Sequence, residues 1–274
     1  MNEVVSVDWL HQHIKDKNTI LLDGSFPKIG GNKSSELDNI TIPGARFFDL
    51  KGNFSDTSSP FPNTMPSEEQ FERECKKLGI NQDSTLIVFD NKGIYSSPRI
   101  WWMFKVMGHD KVSVLNGGLP EWINKGFNTC QREIKTYELG NFKAQLHTTF
   151  VKNYEDILNT ILSNTYTIVD ARSEGRFNGT EKEPRASLKS GNIPNSVNIP
   201  FKTVLENGKF KSAAQLKKIF NAKCSGSKDL IFTCGSGLTA CITLLASELA
   251  YKKSQFVYDG SWTEWAEKQN LKEN

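Results

Sequence analysis

The stretch LIFTCGSGLTACITLLASELA, from Leu230 to Ala250, joins an apolar run to a helical pattern through a cysteine and a loop of small residues. A short unbroken apolar run reads as a strand buried on both faces. Strand, tight loop and helix in succession are the unit of an open α/β sheet. In such sheets sites form at the carboxyl ends of strands, and Cys234 stands at one.

The loop itself suits an anion. Gly235 and Gly237 permit tight or left-handed turns and carry no Cβ to block approach. Backbone N–H groups converging there, with the helix N-terminus behind them, make a nest that holds an anion and stabilises a thiolate. Ser236 and Thr239 add hydroxyl donors. A free cysteine is more often a small buried hydrophobe, but strand end, glycines and helix start together favour chemistry at Cys234. Cys75, Cys130, Cys224 and Cys241 lack that context and are read as structural.

The same alternation runs through the rest of the chain. TILLDG (Thr19 to Gly24), STLIVFD (Ser84 to Asp90), KVSVLNGG (Lys111 to Gly118), YTIVDAR (Tyr166 to Arg172) and QFVYDG (Gln255 to Gly260) read as further strands. Helical patterns lie between them, with Ser6, Ser67 and Ser212 as caps and Gly79 as a stop. The chain also repeats itself. NITIPGARFFDL (Asn39 to Leu50) resembles GNIPNSVNIPF (Gly191 to Phe201), and SVLNGGLPEW (Ser113 to Trp122) resembles QFVYDGSWTEW (Gln255 to Trp265). The offsets, roughly 140 to 150 positions, mean two copies of one domain and exclude a solenoid. The expected halves are 1–127 and 151–274, joined by a polar linker over 128–150.

Composition narrows the function. Of 274 residues, 37% are hydrophobic and 24% charged, and the formal net charge of +3 makes no case for a nucleic-acid partner. No apolar run reaches membrane-spanning length, and MNEVVSVDWL reads as the start of the fold, not as a signal peptide. Five cysteines without a CxxC pair signal neither a disulfide framework nor a zinc site, which points to reduced thiols in the cytoplasm. A cysteine phosphatase would need an arginine closing the loop, and Leu238, Thr239 and Ala240 supply none. A papain-type protease would need a histidine base. His11, His13, His109 and His147 all precede the second half, with His11 and His13 read as surface residues and His109 as a helix cap.

CGSGLTA with YDGSWTEW resembles the C-terminal half of the tandem rhodanese-domain sulfurtransferases. IPGARFFDL, YSSPRIWWMFKVMGH and NGGLPEW resemble their N-terminal half, so the likeness covers nearly the whole chain. It implies two rhodanese-like domains, each a mainly parallel sheet with helices on both faces. Within that family, Gly235-Ser236-Gly237 and RFNGTEKEPR resemble the members that use mercaptopyruvate, whereas those that use thiosulfate carry charges after the cysteine. The implied donor is therefore 3-mercaptopyruvate, with thiosulfate as the alternative. A persulfide on Cys234 would carry the sulfur, pyruvate would leave, and a thiol or cyanide would accept. Thioredoxin is the acceptor suggested at family level. No metal or organic cofactor is implied, and neither nucleic acid nor membrane is an expected partner. A low-turnover persulfide carrier is the reading from outside enzymology.

The resemblance also assigns residues. Cys234 is the nucleophile and Ser236 a proton relay. Arg176 and Arg185 bind the substrate carboxylate, which guanidinium groups can grip through two oxygens. Gly235, Gly237, Leu238 and Thr239 complete the binding loop. Arg172 is expected to be structural, tied to Asp170 or Glu174. Animal members support the serine with a histidine and an aspartate; here Asn63 stands where the histidine is expected and Lys51 near the aspartate. In the first half Asp90 replaces the cysteine, so that half cannot carry a persulfide. Arg99 with Trp101 and Trp102 is expected at an interface or, for the tryptophans, in the core. Trp262 is expected either near the sulfur or in the core.

Overall fold

The computed structural model describes residues 2–25, 36–224, 228–251 and 255–270. The chain divides into two compact units. The first holds Met1–Thr57, Met65–His147 and Asn207–Phe210; the second holds Ser58–Thr64, Thr148–Glu206 and Lys211–Asn274.

Each unit is built on a five-stranded parallel sheet. In the first, the strands lie in the order Val4–Val5, Val112–Leu115, Thr85–Phe89, Thr19–Asp23, Arg46–Phe47. In the second, the order is Val151–Lys152, Gln255–Tyr258, Leu230–Thr233, Thr167–Asp170, Ser196–Asn198. Counted along the chain of each unit, both orders read 1-5-4-2-3. The repeat seen in the sequence is thus a repeat of topology. Parallel strands need covered faces, and the second, fourth and fifth strands of these α/β units are apolar accordingly. Ile87, Leu21 and Leu115 pack with Leu10 and Trp122 in one core; Ile168, Ile231 and Tyr258 pack with Ile157 and Trp265 in the other.

The order 1-5-4-2-3 has one chemical consequence. The fourth strand leads toward the fifth on one side, and the adjacent second strand leads toward the third on the other. Their carboxyl ends therefore part and leave a crevice, the switch point where α/β sheets bind ligands. In the second unit these strands are Leu230–Thr233 and Thr167–Asp170, paired so that Thr233 faces Asp170. Cys234 and Ala171 are the next residues out.

The helix after the loop, Ala240–Tyr251, is buried without a break from Ala240 to Ser247 and carries no charge there. Such all-round apolarity belongs to a helix packed on every side. Capping is as expected: Ser6 accepts from Trp9 N, Ser67 from Gln70 N, and Ser212 forms a capping box with Gln215. Asn153 and Asp156 form a second capping box that opens Tyr154–Ser163.

Residues 128–147, expected as linker, group with the first unit. Thr41 and Cys130 pair antiparallel, as do Ile40 and Gln131. Phe142 is fully buried against Phe71 and Phe104, with ring centroids 5.9 Å from each. The stretch reads as polar because a single fully buried aromatic anchors it, and composition averages that aromatic away. Among the described residues no helix is long and apolar enough to cross a membrane.

Candidate active site

Asp90 shows what the loop after the fourth strand does. In the first unit its buried carboxylate accepts from the N–H groups of Lys92 (2.9 Å), Tyr95 (2.8 Å), Ser96 (3.0 Å) and Ser97 (3.0 Å), and from the Ser97 hydroxyl (2.7 Å). Four converging amides ahead of the Ser97–Val106 helix form an anion cradle filled by the protein's own side chain. The matching position in the second unit is Cys234.

Cys234 lies at the floor of its loop, 1% exposed. Its N–H donates to Ser261 Oγ (3.3 Å), and its carbonyl accepts from Trp262 N (2.9 Å). Gly237, at φ 75°, also donates its N–H to Ser261 Oγ (3.0 Å). One hydroxyl therefore ties the start of the loop to its middle, and that hydroxyl in turn donates to Tyr258 O (2.9 Å). Gly235 O accepts from Thr263 N (3.1 Å) and Thr263 Oγ1 (2.7 Å). Leu238 is 6% exposed, turned into the core, and its carbonyl accepts from Cys241 N. Thr239 opens the helix, its carbonyl accepting from Ile242 N and Thr243 N.

The two arginines reach this loop from the stretch that leaves the second strand. Arg176 is gripped by Glu183, through Nε at 3.0 Å and Nη2 at 2.5 Å. Its Nη2 stands 2.8 Å from where a Cβ on Gly235 would lie, so a side chain at 235 would push the guanidinium away. Burial acts to lower the Arg176 pKa, but the hydrogen bond and charge of Glu183, with Cys234 and Asp170 adding, outweigh it and raise the value. Arg185 Nη1 donates to Thr263 Oγ1 at 3.0 Å, and the Thr263 hydroxyl in turn donates a hydrogen bond to Gly235 O. Both guanidinium groups are thus bound to what surrounds the loop.

Arg172 has the structural role expected, through Asp170, one of the two alternative partners expected. It is 1% exposed and bound to Asp170 (2.6 Å), Glu183 (2.8 Å) and Gly191 O (2.7 Å). Glu183, not Glu174, is its second carboxylate. The guanidinium lies over the Trp262 ring, 4.1 Å from its centroid. Trp262 is therefore a core residue that stacks on an ion pair and bonds Lys189 O through Nε1.

A rhodanese-like domain model matches residues 6–125 and again 153–268. The chain belongs to the rhodanese-like family. It is a tandem rhodanese-domain sulfurtransferase. It is 40% identical to the mouse protein named 3-mercaptopyruvate sulfurtransferase over 272 residues, covering 96% of this chain and 91% of that protein. It is also 40% identical to the rat thiosulfate sulfurtransferase, with the same coverage. Among solved structures, SseA from Escherichia coli, described as a 3-mercaptopyruvate sulfotransferase, superposes with a TM-score of 0.86 at 34% identity, over 96% of this chain and 99% of that one.

The remaining thiols of this tandem rhodanese lack the features of the Cys234 loop. Burial pushes the Cys75 thiol far up, with the charges of Glu74 and Glu72 adding, and pushes Cys224 up to about 11. Cys241 is buried as the second residue of the helix, and Cys130 is exposed on a two-residue strand. The histidines all lie in the first rhodanese-like unit. His109 does not cap with its ring: its backbone N–H does so on Phe104 O, while Nε2 bonds Ser84 O at 2.9 Å. Arg99 is buried with its guanidinium 4.7 Å from the Trp102 ring, and Trp101 Nε1 donates to Glu3, which places both tryptophans in the first unit's core.

Three residues of the site escaped the sequence reading: Ser261, Thr263 and Glu183. For Ser261 a signal existed. The repeat aligns YDGSW with LNGGL, setting a serine opposite Gly118, where the chain turns from strand to helix. Asn63 lies within the second unit and donates from Nδ2 to Ser236 Oγ (3.0 Å) and Ser236 O (3.1 Å). Lys51 is exposed and lies in the first unit. Among the described residues no group of three His, Cys, Asp or Glu side chains could hold a metal ion.

Proposed function

We propose that this sulfurtransferase takes its sulfur from 3-mercaptopyruvate, carries it as a persulfide on Cys234, and passes it to a thiol or to cyanide. The observation that carries this reading is positional. Cys234 occupies the place where, in the first unit, four loop amides hold the Asp90 carboxylate. A loop built this way suits a sulfur anion in both half-reactions.

The step balances without an added redox partner. The Cys234 thiolate attacks the donor sulfur, an S–S bond forms and the C–S bond breaks. The electron pair passes to carbon as the pyruvate enolate, and the proton once on the donor sulfur ends on that carbon. Arg176 and Arg185 supply positive charge for the carboxylate and the developing oxyanion. An acceptor thiol then removes the outer sulfur, which makes the cycle a covalent, two-stage transfer. This chemistry calls on no metal or organic cofactor. A small-molecule donor and a thiol acceptor such as thioredoxin are the partners, and five free cysteines suit a reducing cytoplasm.

Identity does not choose between the donors, since relatives of both names match equally. The loop favours mercaptopyruvate: Gly235, Ser236 and Gly237 bring no charge to meet a thiosulfate dianion. The test is donor profiling with pyruvate and sulfide both quantified. Faster turnover with thiosulfate at matched concentration reverses the choice. Mass spectrometry after donor treatment should show one added sulfur on Cys234, and Cys234→Ser should release no pyruvate. Added sulfur without repeated pyruvate release would point to a carrier instead.

A further inference from the structure

Asn63 and Ser236 meet in the second unit although 173 positions separate them. The contact has a definite polarity. The Ser236 carbonyl oxygen can only accept, so the Asn63 amide must turn its NH2 toward the serine. That NH2 carries two hydrogens, and the Ser236 carbonyl and hydroxyl take one each, at 3.1 and 3.0 Å. The hydroxyl is thereby an acceptor toward Asn63, and its own proton must point elsewhere. Among the described residues no side chain or carbonyl takes that proton.

The turn that presents Asn63 is itself braced. Thr64 Oγ1 donates to Phe61 O at 2.8 Å and bonds Ser59 Oγ at 2.8 Å. Asn63 sits at φ 61°, a region where asparagine is among the few tolerated side chains. The amide is held in place before any substrate arrives.

We propose that Asn63 is a positioning residue that locks Ser236 as a hydrogen-bond donor to the substrate. This rests on the sulfurtransferase reading above. As the C–S bond of the donor breaks, charge collects on the carbonyl oxygen of the departing enolate. Ser236 donates a hydrogen bond to that oxygen and keeps its proton. A base at position 63 would draw the serine proton backward; an amide cannot, and it does not titrate. Ser236 therefore works here as a fixed dipole and not as a relay.

The test compares pyruvate release by the wild type, Asn63→Gly, Asn63→Asp, Ser236→Ala and the Asn63→Gly/Ser236→Ala double variant. Glycine keeps the positive φ while deleting the amide, so its fold should survive, and melting temperatures check this. Asn63→Gly should lower kcat about three- to tenfold with little change in KM, the loss of one neutral hydrogen bond. Asn63→Asp is nearly isosteric, yet its carboxylate accepts the serine proton and reverses the hydroxyl, so it should lose more than glycine does. In the Ser236→Ala background, Asn63→Gly should lose nothing further. Losses that multiply, or an Asn63→Asp enzyme as fast as wild type, overturn the inference while leaving the sulfurtransferase intact. A wild type that releases no pyruvate from mercaptopyruvate removes the reading beneath it, and this inference with it.

Discussion

Ser261 and Gly118 share one backbone conformation, φ 51° and 53°, at the same turn of the two repeated units. Glycine adopts it freely, whereas a serine there costs about 1–2 kcal/mol. The first unit, which has Asp90 where the second has Cys234, uses the unstrained residue. The second keeps a strained one whose hydroxyl accepts from both Cys234 N and Gly237 N. The strain is offset by holding the loop closed around the sulfur.

That exchange orders two substitutions in an unusual way. Ser261→Gly loses the hydroxyl but relieves the backbone; Ser261→Ala loses the hydroxyl and relieves nothing. The alanine variant should be less stable than the glycine variant by about 1 kcal/mol in denaturant unfolding. Both should transfer sulfur at least about tenfold more slowly, because two loop amides lose their anchor. Equal stability of the two variants would mean that the serine carries no backbone strain.

Glu183 joins Arg172 and Arg176 with its two oxygens, at 2.8 and 2.5 Å. Its side chain and that of Arg172 are almost wholly buried, so removing the carboxylate strands a buried cation. Glu183→Ala should destabilise the second unit by about 3–5 kcal/mol. Glu183→Gln keeps one acceptor and should lose less. Thermal unfolding of the two variants measures the difference. Similar melting temperatures for wild type and alanine would show that Asp170 alone satisfies Arg172.

Burial lowers the His109 pKa, against the opposing hydrogen bonds of the Ser84 and Lys111 backbones. The sign follows from linkage. Between the lowered folded value and the ordinary value near 6.5, the unfolded chain binds the proton and the folded chain does not. Stability contributed by neutral His109 is therefore full above that ordinary value and is lost as pH falls below it. Glu72, held down at about 2 by Lys76 and Lys143, acts only below its ordinary carboxylate range, so the two windows separate. Melting temperature should decline on acidification from pH 7 to 5.5, and His109→Gln should flatten that decline. An unchanged slope in the variant would assign the loss to other groups.

What the sequence made legible was local. Cys234 follows an apolar strand and precedes glycines, so strand, loop and helix could be read from neighbours alone. The two-fold repeat was legible because Trp122 and Trp265 mark the same turn. What stayed hidden depends on contacts across the fold. Ser261 meets the loop 27 residues earlier, and Glu183 serves two arginines at once. Phe142 lies in a mostly polar stretch whose other large apolar residues, such as Ile134 and Leu139, are exposed, so its burial against Phe71 has no periodic trace. Asn63 was recognised as a departure from the family pattern, but only the fold shows that its amide still meets Ser236.

Arg185 separates binding from folding. Its guanidinium is half-buried and makes a hydrogen bond to Thr263 Oγ1, which in turn holds Gly235 O. Arg172, by contrast, is locked between two carboxylates and an indole. Arg185→Ala should therefore leave the melting temperature nearly unchanged, since Thr263 keeps its bond to Gly235 O. Under the proposed function the same change removes a cation from the substrate carboxylate, and charged hydrogen bonds of this kind are worth about 1.5–3 kcal/mol. Expressed in kinetics, kcat/KM for mercaptopyruvate should fall by one to two orders of magnitude. Arg185→Lys should recover only part of it, because an ammonium cannot grip both carboxylate oxygens in one plane. Steady-state kinetics beside calorimetry decides the matter: parallel losses of activity and melting temperature would make Arg185 a structural residue and leave Arg176 as the sole anchor of the substrate.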